Sequence, residues 1–327
     1  MSNRVNSRWN TAASMMLASL ALSTSVAAQQ TYPTKQPIRI VVAAGPGGFA
    51  DAVARLVSEK LSVRLGQTTI IENRGGAGGN IAARAVAQST PDGYTVLVST
   101  TSMAINGTLY TNMGYATADI TPAAIVGSSP EVIAVHPSNP AKSLAAFLKP
   151  ADAKPIQYGT AGIGSGSHIA AEYLFKILAK TGSEHVAFPG GAPAIQNVIG
   201  NHLNAVAATM PALAPHIRSG ALRGLGVAST KRPAAIPDVP TYAEAGYPDF
   251  FAASWVGFFV PSKVEPGVVK ALNGGINAVL ADAAVKARMQ NMGLDIMTND
   301  PAATVKFFQS EIAFWSKRVK ALGLSMK

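Results

Sequence analysis

The chain has 327 residues, enough for two domains, and it contains no cysteine. The lack of cysteine excludes a disulfide framework, thiol chemistry and any cysteine-ligated metal site. The formal net charge is +10, from 27 basic and 17 acidic residues. Because the basic residues are scattered, we interpret this charge as a diffuse field that favours anionic solutes, not as a nucleic-acid-binding surface.

The first 28 residues have the pattern of a cleaved signal peptide. Arg4 and Arg8 precede an apolar stretch from Thr11 to Ser25, and Val26-Ala27-Ala28 supplies small residues for cleavage before Gln29. The alternative, a transmembrane anchor, needs about 20 apolar residues, more than this stretch supplies. We therefore expect residues 1–28 to be removed and the mature protein to be periplasmic.

Apolar runs and amphipathic helices alternate along the mature chain, which is typical of α/β folds with parallel strands. In the first half, strands are predicted at 37–43, 68–72 and 94–99, and a glycine-rich segment, Gly45 to Gly48, separates the first strand from a helix. In that helix, Asp51 and Arg55 form a pair one turn apart. We expect Asp51 to stabilise the helix start and not to contact a ligand.

The middle of the chain repeats this alternation. Strands are predicted at 156–158, 184–187, 203–208 and 221–228, and the helix after the first of them places Ile169, Tyr173, Leu174, Ile177 and Leu178 on one face. Two further apolar runs, 131–135 and 255–260, are each bounded by proline. Final helices are predicted at 266–280 and 301–322, with Gly323 ending the last one.

The two proline-bounded runs predict crossing strands between two lobes. Lobe 1 would comprise residues 29–131 and 255–327, and lobe 2 residues 132–254. The alternative is a single doubly wound domain, but the chain length and the paired runs favour two lobes. Such lobes close around a ligand by a hinge motion in periplasmic binding proteins.

Three strand-to-helix loops are candidates for ligand contacts, because glycines there allow close backbone approach and helix N–H groups can hold an anion. They are Gly45 to Asp51, Thr160 to His168, and Phe188 to Pro193. For the first of them, a plain turn is an equally good interpretation. Gly162 and Gly164 match the start of a G-x-G-x-x-G dinucleotide fingerprint, but Ser167 occupies its final position, which argues against it. No G-K-[ST] occurs either, so no cofactor is predicted.

An enzyme would need a nucleophile, a base and an orienting group. Ser165 or Ser167 with His168 is the candidate, but no G-x-S-x-G elbow is present and the histidines lack metal-ligand spacing. We therefore predict a binding protein with neither catalytic residues nor a metal site. The alternative is a periplasmic hydrolase-like enzyme that uses Ser165 and His168. A purely structural envelope protein is disfavoured by the three glycine loops.

The order of several short motifs resembles the Bug (TctC-type) receptors of tripartite tricarboxylate transporters over essentially the whole mature chain. The motifs are Pro46-Gly47-Gly48, Glu72-Asn73-Arg74, Gly76 to Gly79, Pro91 to Tyr94, Gly164-Ser165 with His168, Ala192-Pro193-Ala194, Pro237 to Thr241 and Glu244-Ala245-Gly246.

The resemblance implies a two-lobed type II periplasmic-binding (Venus flytrap) fold, each lobe a sheet flanked by helices. It implies a monomeric receptor that delivers a small organic acid to membrane transporter subunits or to a sensor. A ligand carboxylate would be held by backbone amides, hydroxyls and waters. The contacts carried over onto this sequence are Pro46, Gly47, Gly48, Phe49, Ser99, Thr100, Thr101, Ser102, Thr160, Gly164, Ser165, His168, Gly190, Gly191 and Ala192.

The chain departs from the family pattern at Ala44-Gly45, at Phe188-Pro189-Gly190 and at Ala207-Ala208-Thr209. The last departure replaces an aromatic residue and an acid or amide by small side chains. We expect from it a roomier, less polar pocket. The resulting hypothesis is a mono- or dicarboxylate with an apolar body, aromatic bodies included, and not a citrate-like polyacid.

Overall fold

The structure is a computed structural model that describes residues 32–149 and 154–327. The predicted signal peptide lies outside the described residues. Within the described ranges, no single helix is both long and apolar enough to cross a membrane.

Ten strands and ten α-helices are present in these ranges. The strands are β1 (Ile38–Val42), β2 (Thr69–Asn73), β3 (Thr95–Thr100), β4 (Ile120–Val135), β5 (Ile156–Thr160), β6 (Ser183–Ala187), β7 (Ala205–Thr209), β8 (Arg223–Val227), β9 (Ala253–Pro261) and β10 (Asp295–Ile296). The helices are α1 (Phe49–Leu65), α2 (Asn80–Ala87), α3 (Ser102–Leu109), α4 (Leu144–Phe147), α5 (Gly166–Glu172), α6 (Gly191–Ile199), α7 (Met210–Arg218), α8 (Pro266–Ala281), α9 (Ala283–Asn291) and α10 (Pro301–Leu322).

The strands form one mixed sheet in the order β2-β1-β3-β9-β4-β7-β5-β6, with β8 and β10 also paired to β4. The long strand β4 divides this sheet. Its residues 120–130 pair with β9, and its residues 131–134 pair with β7. We call the strands on the β9 side, with residues 120–130, the first sheet section. The strands β5 to β8, with residues 131–135, are the second sheet section.

Helices cover both faces of the first sheet section. Residues of α1 and α8, among them Leu61 and Ile276, pack on one face in a buried apolar cluster. Residues of α2, α3 and α10, among them Ile105 and Trp315, pack on the other face. Because both faces are covered, β1 and β3 are nearly continuous apolar runs, as is usual for buried parallel strands.

The strand directions bring two sets of carboxyl ends towards one another. Strands β1, β2 and β3 are mutually parallel, and so are β5, β6 and β7. The first set runs in the direction of β4, whereas the second runs against it. Through β9, the end of β3 at Thr100 lies level with Gly127, and the end of β7 at Thr209 pairs with Glu131. The two sets of strand ends are therefore four residue steps apart along β4, which is about 13 Å.

Most predicted elements are confirmed to within a few residues, and α10 has the predicted bounds, with Gly323 in the left-handed conformation (φ 64°). Two predictions were wrong. The run 131–135 is only the end of β4, which passes through Pro130 and through an irregularity at Pro122. Leu178 is 38% exposed because a π-helical turn, Tyr173–Leu178, follows α5 and rotates the apolar face.

Candidate functional site

The loop between β1 and α1 is held in place by Asp51. Its carboxylate accepts hydrogen bonds from the Gly47 amide (2.8 Å), Asn73 Nδ2 (2.9 Å) and Arg55 Nε (3.0 Å). Burial alone would raise the pKa of Asp51, but these hydrogen bonds outweigh it and the net pKa lies below its ordinary value. Asp51 is 2% exposed, and these hydrogen bonds anchor the loop from the first turn of α1.

The predicted contacts Pro46, Gly47, Gly48 and Phe49 lie along this loop and are at least partly exposed. Gly47 has a φ of +77°, a conformation that favours glycine. Gly48 precedes α1 and supplies no side-chain cap, and no other side chain of the described chain caps this helix. The loop is therefore both rigidly anchored and open at its tip.

The four predicted contacts at the end of β3 differ in their surroundings. Thr101 is fully buried, and its hydroxyl oxygen accepts the Trp255 amide at 2.9 Å, so it joins β3 to β9. Ser99 is 1% exposed and lies inside the sheet. Thr100 and Ser102 have hydroxyl oxygens 3.2 Å apart. Thr100, the more accessible of the two, is the hydroxyl of this stretch best placed to reach a ligand.

In the second sheet section, Ser165 caps the start of α5. Its hydroxyl donates to the Gly162 carbonyl at 2.8 Å and accepts the His168 amide at 3.2 Å. The ring Nδ1 of His168 accepts the Gly164 amide at 3.3 Å. The Ser165 hydroxyl thus donates to a carbonyl and not to His168, so these two residues do not form the nucleophile–base pair that the enzyme alternative requires.

His168 stacks on His185, with ring centroids 4.0 Å apart. His185 Nε2 lies 2.7 Å from the hydroxyl of Thr160, a predicted contact. Burial lowers the pKa of His168 to about 4 and, together with the charge of His168, lowers that of His185 to about 3. Both rings are therefore neutral near pH 7. His185 was missed from the sequence, because nothing local indicates that β6 places it beside Thr160.

The third predicted loop lies next to the second. The Phe188 amide donates to the Thr160 carbonyl at 3.2 Å, and the Gly190 amide donates to the Phe188 carbonyl at 2.8 Å. Gly190 has a φ of +121° and, like Gly48, precedes a helix without a side-chain cap. Gly191 and Ala192 form the first turn of α6, and Ala192 is exposed.

The two sheet sections touch at Gly164. A Cβ atom added there would lie 3.0 Å from Leu109 Cδ2 and 3.1 Å from Asn106 Oδ1, both on α3 of the first section. Asn106 is 1% exposed, and its Nδ2 donates to Gly78 O and to Asn80 Oδ1, each at 2.9 Å. Asn106 was missed in the sequence, where the available signal was an asparagine directly after the apolar residues 103–105.

The expected roomier pocket gains no support from Ala207 and Ala208. Each is 3% exposed and packs into the core on opposite faces of β7, so neither borders open space. Only Thr209 stands at the strand end. A separate groove of about 390 Å³ is bordered by Phe251, Trp255 and Glu311 and includes none of the predicted contacts. In the described part of the chain, no cluster of histidine, aspartate and glutamate suits a metal ion.

The model of the "Tripartite tricarboxylate transporter family receptor" family (TctC) matches residues 53–324. Protein BugT of Bordetella pertussis is 33% identical over 96% of this chain and 97% of its own. Among solved structures, the periplasmic binding protein BugD superposes with a TM-score of 0.83 at 29% identity, covering 90% of this chain and 100% of BugD.

Two further structures contain ligands. An R. palustris protein with adipate has a TM-score of 0.84 at 32% identity, covering 90% of this chain and all of the other. MatC from Rhodopseudomonas palustris with bound malate has a TM-score of 0.82 at 29% identity, covering 88% and 100%. These matches confirm the predicted family and the predicted periplasmic-binding-protein fold. They also place the chain among binding proteins and not among enzymes.

Proposed function

The chain belongs to the tripartite tricarboxylate transporter receptor (TctC) family, and from this premise we propose that it captures a small organic carboxylate in a cleft between two lobes. The observation that carries the proposal is the convergence of two sets of strand ends on residues 127–131 of β4. Ligands of open α/β sheets bind beyond the carboxyl ends of the strands. Here two such edges approach each other, as a clamp requires.

The proposed lobes, with lobe 1 at residues 29–131 and 255–327 and lobe 2 at 132–254, follow the two sheet sections to within two residues at each crossing. Gly164 of lobe 2 lies against α3 of lobe 1. We interpret this contact as a cleft that is closed at that point. We propose that β4 and the segment entering β9 act as the hinge.

The carboxylate would be held by backbone amides and hydroxyls. Helices α1 and α6 begin after Gly48 and Gly190, and no described side chain caps either of them. Their first-turn N–H groups are therefore donors for an anion. Thr100 supplies a hydroxyl nearby in lobe 1. No lysine or arginine is among the proposed contacts, so the net charge of +10 acts as a general attraction and not as a clamp.

The ligand class follows from the relatives and from these donors. Adipate and malate are bound by two structural neighbours, which supports a mono- or dicarboxylate. We also carry forward the hypothesis of an apolar body rather than a citrate-like polyacid, now on the ground that the proposed contacts lack a cation to pair with the additional charge of a third carboxylate. Export by the predicted signal peptide, and delivery to transporter subunits of the tripartite tricarboxylate type, complete the proposal.

A thermal-shift panel tests the ligand class. Adipate, malate, benzoate and citrate are compared at concentrations up to the millimolar range. A ligand at 100 times its Kd stabilises the folded protein by about 2.7 kcal/mol, which is a shift of several degrees. We expect adipate or benzoate to exceed citrate. Stabilisation by citrate alone would refute the apolar-body hypothesis.

Native mass spectrometry of freshly purified protein would identify a co-purified acid. Recovery of the same acid unchanged after incubation supports a receptor, whereas a chemically altered product would contradict it. Absence of any carboxylate effect in both experiments would refute the proposed function.

A further inference from the structure

A buried acid lies where the two sheet sections meet. Glu131 is the residue of β4 at which pairing changes from β9 to β7. Its amide donates to the Ala252 carbonyl at 3.1 Å, and its carbonyl accepts the Ala228 amide at 2.8 Å. Ala228 follows β8 and Ala252 precedes β9, so the backbone of Glu131 ties both segments that pass between the sections.

The carboxyl group of Glu131 is shielded from both sides of this junction. The residue is 2% exposed, and Oε1 accepts the Ser254 hydroxyl of β9 at 2.5 Å. Gly166, the first residue of α5, covers the same group. A Cβ added to Gly166 would lie 3.1 Å from Oε1 and 2.4 Å from the Ser254 oxygen. The acid is thus enclosed by one residue from each section.

Little in these surroundings stabilises a negative charge. Oε2 has no hydrogen-bond partner within the described ranges. The titratable group that faces it is Tyr242, whose own burial, followed by the charge of Glu131, raises its pKa. Strands β7 and β9 carry no charged residue, and the titratable residues of α5, His168 and Glu172, do not shift the pKa of Glu131. Burial therefore raises the pKa of Glu131 to about 7, against the lowering effect of two serine hydroxyls, those of Ser254 and Ser167.

We propose that Glu131 is a positioning residue for cleft closure, protonated when Gly166 and Ser254 enclose it and ionised when the lobes part and water reaches it. This rests on the proposed binding function, because it assumes that the cleft opens and closes. Closure would then take up a proton, and so would any ligand that binds the closed state.

The pH range and the direction of the effect on ligand affinity follow from the linkage between closure and proton binding. Below the ordinary pKa of about 4.5, both states hold the proton, and above about 7 neither does. Between these limits the closed state holds a proton that the open state has lost, so affinity for the ligand falls up to tenfold for each unit of rising pH. His168 and His185 do not take part in this linkage, because their contacts with the Gly164 amide, with Thr160 and with one another all lie within the second sheet section and are kept when the lobes part.

The ligand-free protein provides the first test. Small-angle scattering of the full chain at pH 5.5 and pH 8 should show a smaller radius of gyration at pH 5.5. Glu131→Gln keeps the shape without the charge, so it should be compact at both values. Glu59→Gln, on the exposed face of α1, is the matched control and should behave as wild type. A wild-type radius independent of pH, or a pH response retained in Glu131→Gln, overturns the proposal.

Calorimetry with adipate in two buffers of different ionisation enthalpy at pH 6 is the second test. We expect uptake of close to one proton by wild type, none by Glu131→Gln, and at pH 8 tighter binding by the variant than by wild type. Zero uptake or proton release by wild type overturns the proposal. If adipate does not bind, the proposed ligand class is at fault, and the scattering result still decides the role of Glu131.

Discussion

Replacing Gly164 by alanine separates the strain of a backbone conformation from a clash that exists only in the closed cleft. Gly164 has a φ of +78°, and a left-handed conformation costs an L-residue about 1–2 kcal/mol. That cost applies to the open and the closed state alike, so it lowers the free energy of unfolding without affecting closure. The added Cβ, 3.0 Å from Leu109 Cδ2 and 3.1 Å from Asn106 Oδ1, opposes closure alone. Overpacking of this kind costs about 1–3 kcal/mol, so affinity should fall roughly 5- to 150-fold.

Gly220→Ala is the matched control. Gly220 has a φ of +76° in an exposed turn after α7, and nothing lies within 4 Å of an added Cβ. Both variants should lose similar stability in urea, but only Gly164→Ala should lose affinity for a bound carboxylate in calorimetry. It should also compact less than wild type when that ligand is added. Equal affinity of Gly164→Ala and wild type, or an equal loss in Gly220→Ala, would refute the reasoning.

Three further substitutions address polar side chains that are at least partly buried, two at the candidate site and one, Glu311, in the separate groove. Asp51→Ala removes the acceptor of the Gly47 amide and of two side chains. It should cost about 1–3 kcal/mol in urea unfolding and should weaken ligand binding, whereas the exposed Glu59→Ala should do neither. Because the native pKa of His168 is depressed to about 4, the unfolded chain binds more protons below pH 6.5. Stability should then fall with falling pH by up to about 1.4 kcal/mol per unit, and His168→Gln should flatten this slope relative to wild type in urea melts at pH 7 and 5. Glu311 accepts two tryptophan indole N–H groups at 2.8 and 2.9 Å, so Glu311→Ala should cost about 2–4 kcal/mol by tryptophan-monitored unfolding. A loss of unfolding free energy below about 0.5 kcal/mol would contradict a stabilising role for these two hydrogen bonds.

The sequence predicted those elements whose signals are local. The last helix has proline at its first position, a regular apolar stripe and a terminal glycine, and each marks a boundary without help from the rest of the chain. The first half of β4 carries no such signal, because Pro122, Gly127 and Pro130 interrupt it. Its partner β9 supplies the register that makes it a strand. The π-helical turn after α5 is equally invisible, since apolar spacing alone presumes 3.6 residues per turn.

The candidate site likewise combines features that local sequence predicts with contacts that it does not. The three loops were predictable because a glycine-rich segment between a strand and a helix is a pattern within ten residues of sequence. Which residue faces which loop was not predictable. Asn106 reaches Gly78 across 28 positions, and Thr160 meets His185 across 25. Thr101 was predicted as a ligand contact, but its hydroxyl accepts a hydrogen bond from a backbone amide 154 residues away, which the sequence does not indicate.

Two helices at the proposed cleft, α1 and α6, start differently from two helices elsewhere in the molecule, α9 and α10. Helices α9 and α10 begin after Asp282 and Asp300, whose side chains accept first-turn amides. Helices α1 and α6 begin after Gly48 and Gly190, which offer no such acceptor. A side-chain cap is worth about 1 kcal/mol, and exchanging it for glycine costs only a few tenths. The fold therefore gives up little stability by leaving these amides for a ligand, and a capping aspartate at Gly48 would place a negative charge where the carboxylate is proposed to bind. Gly48→Asp should accordingly leave the protein folded while abolishing carboxylate binding in calorimetry, and retained binding would argue that the anion is held elsewhere.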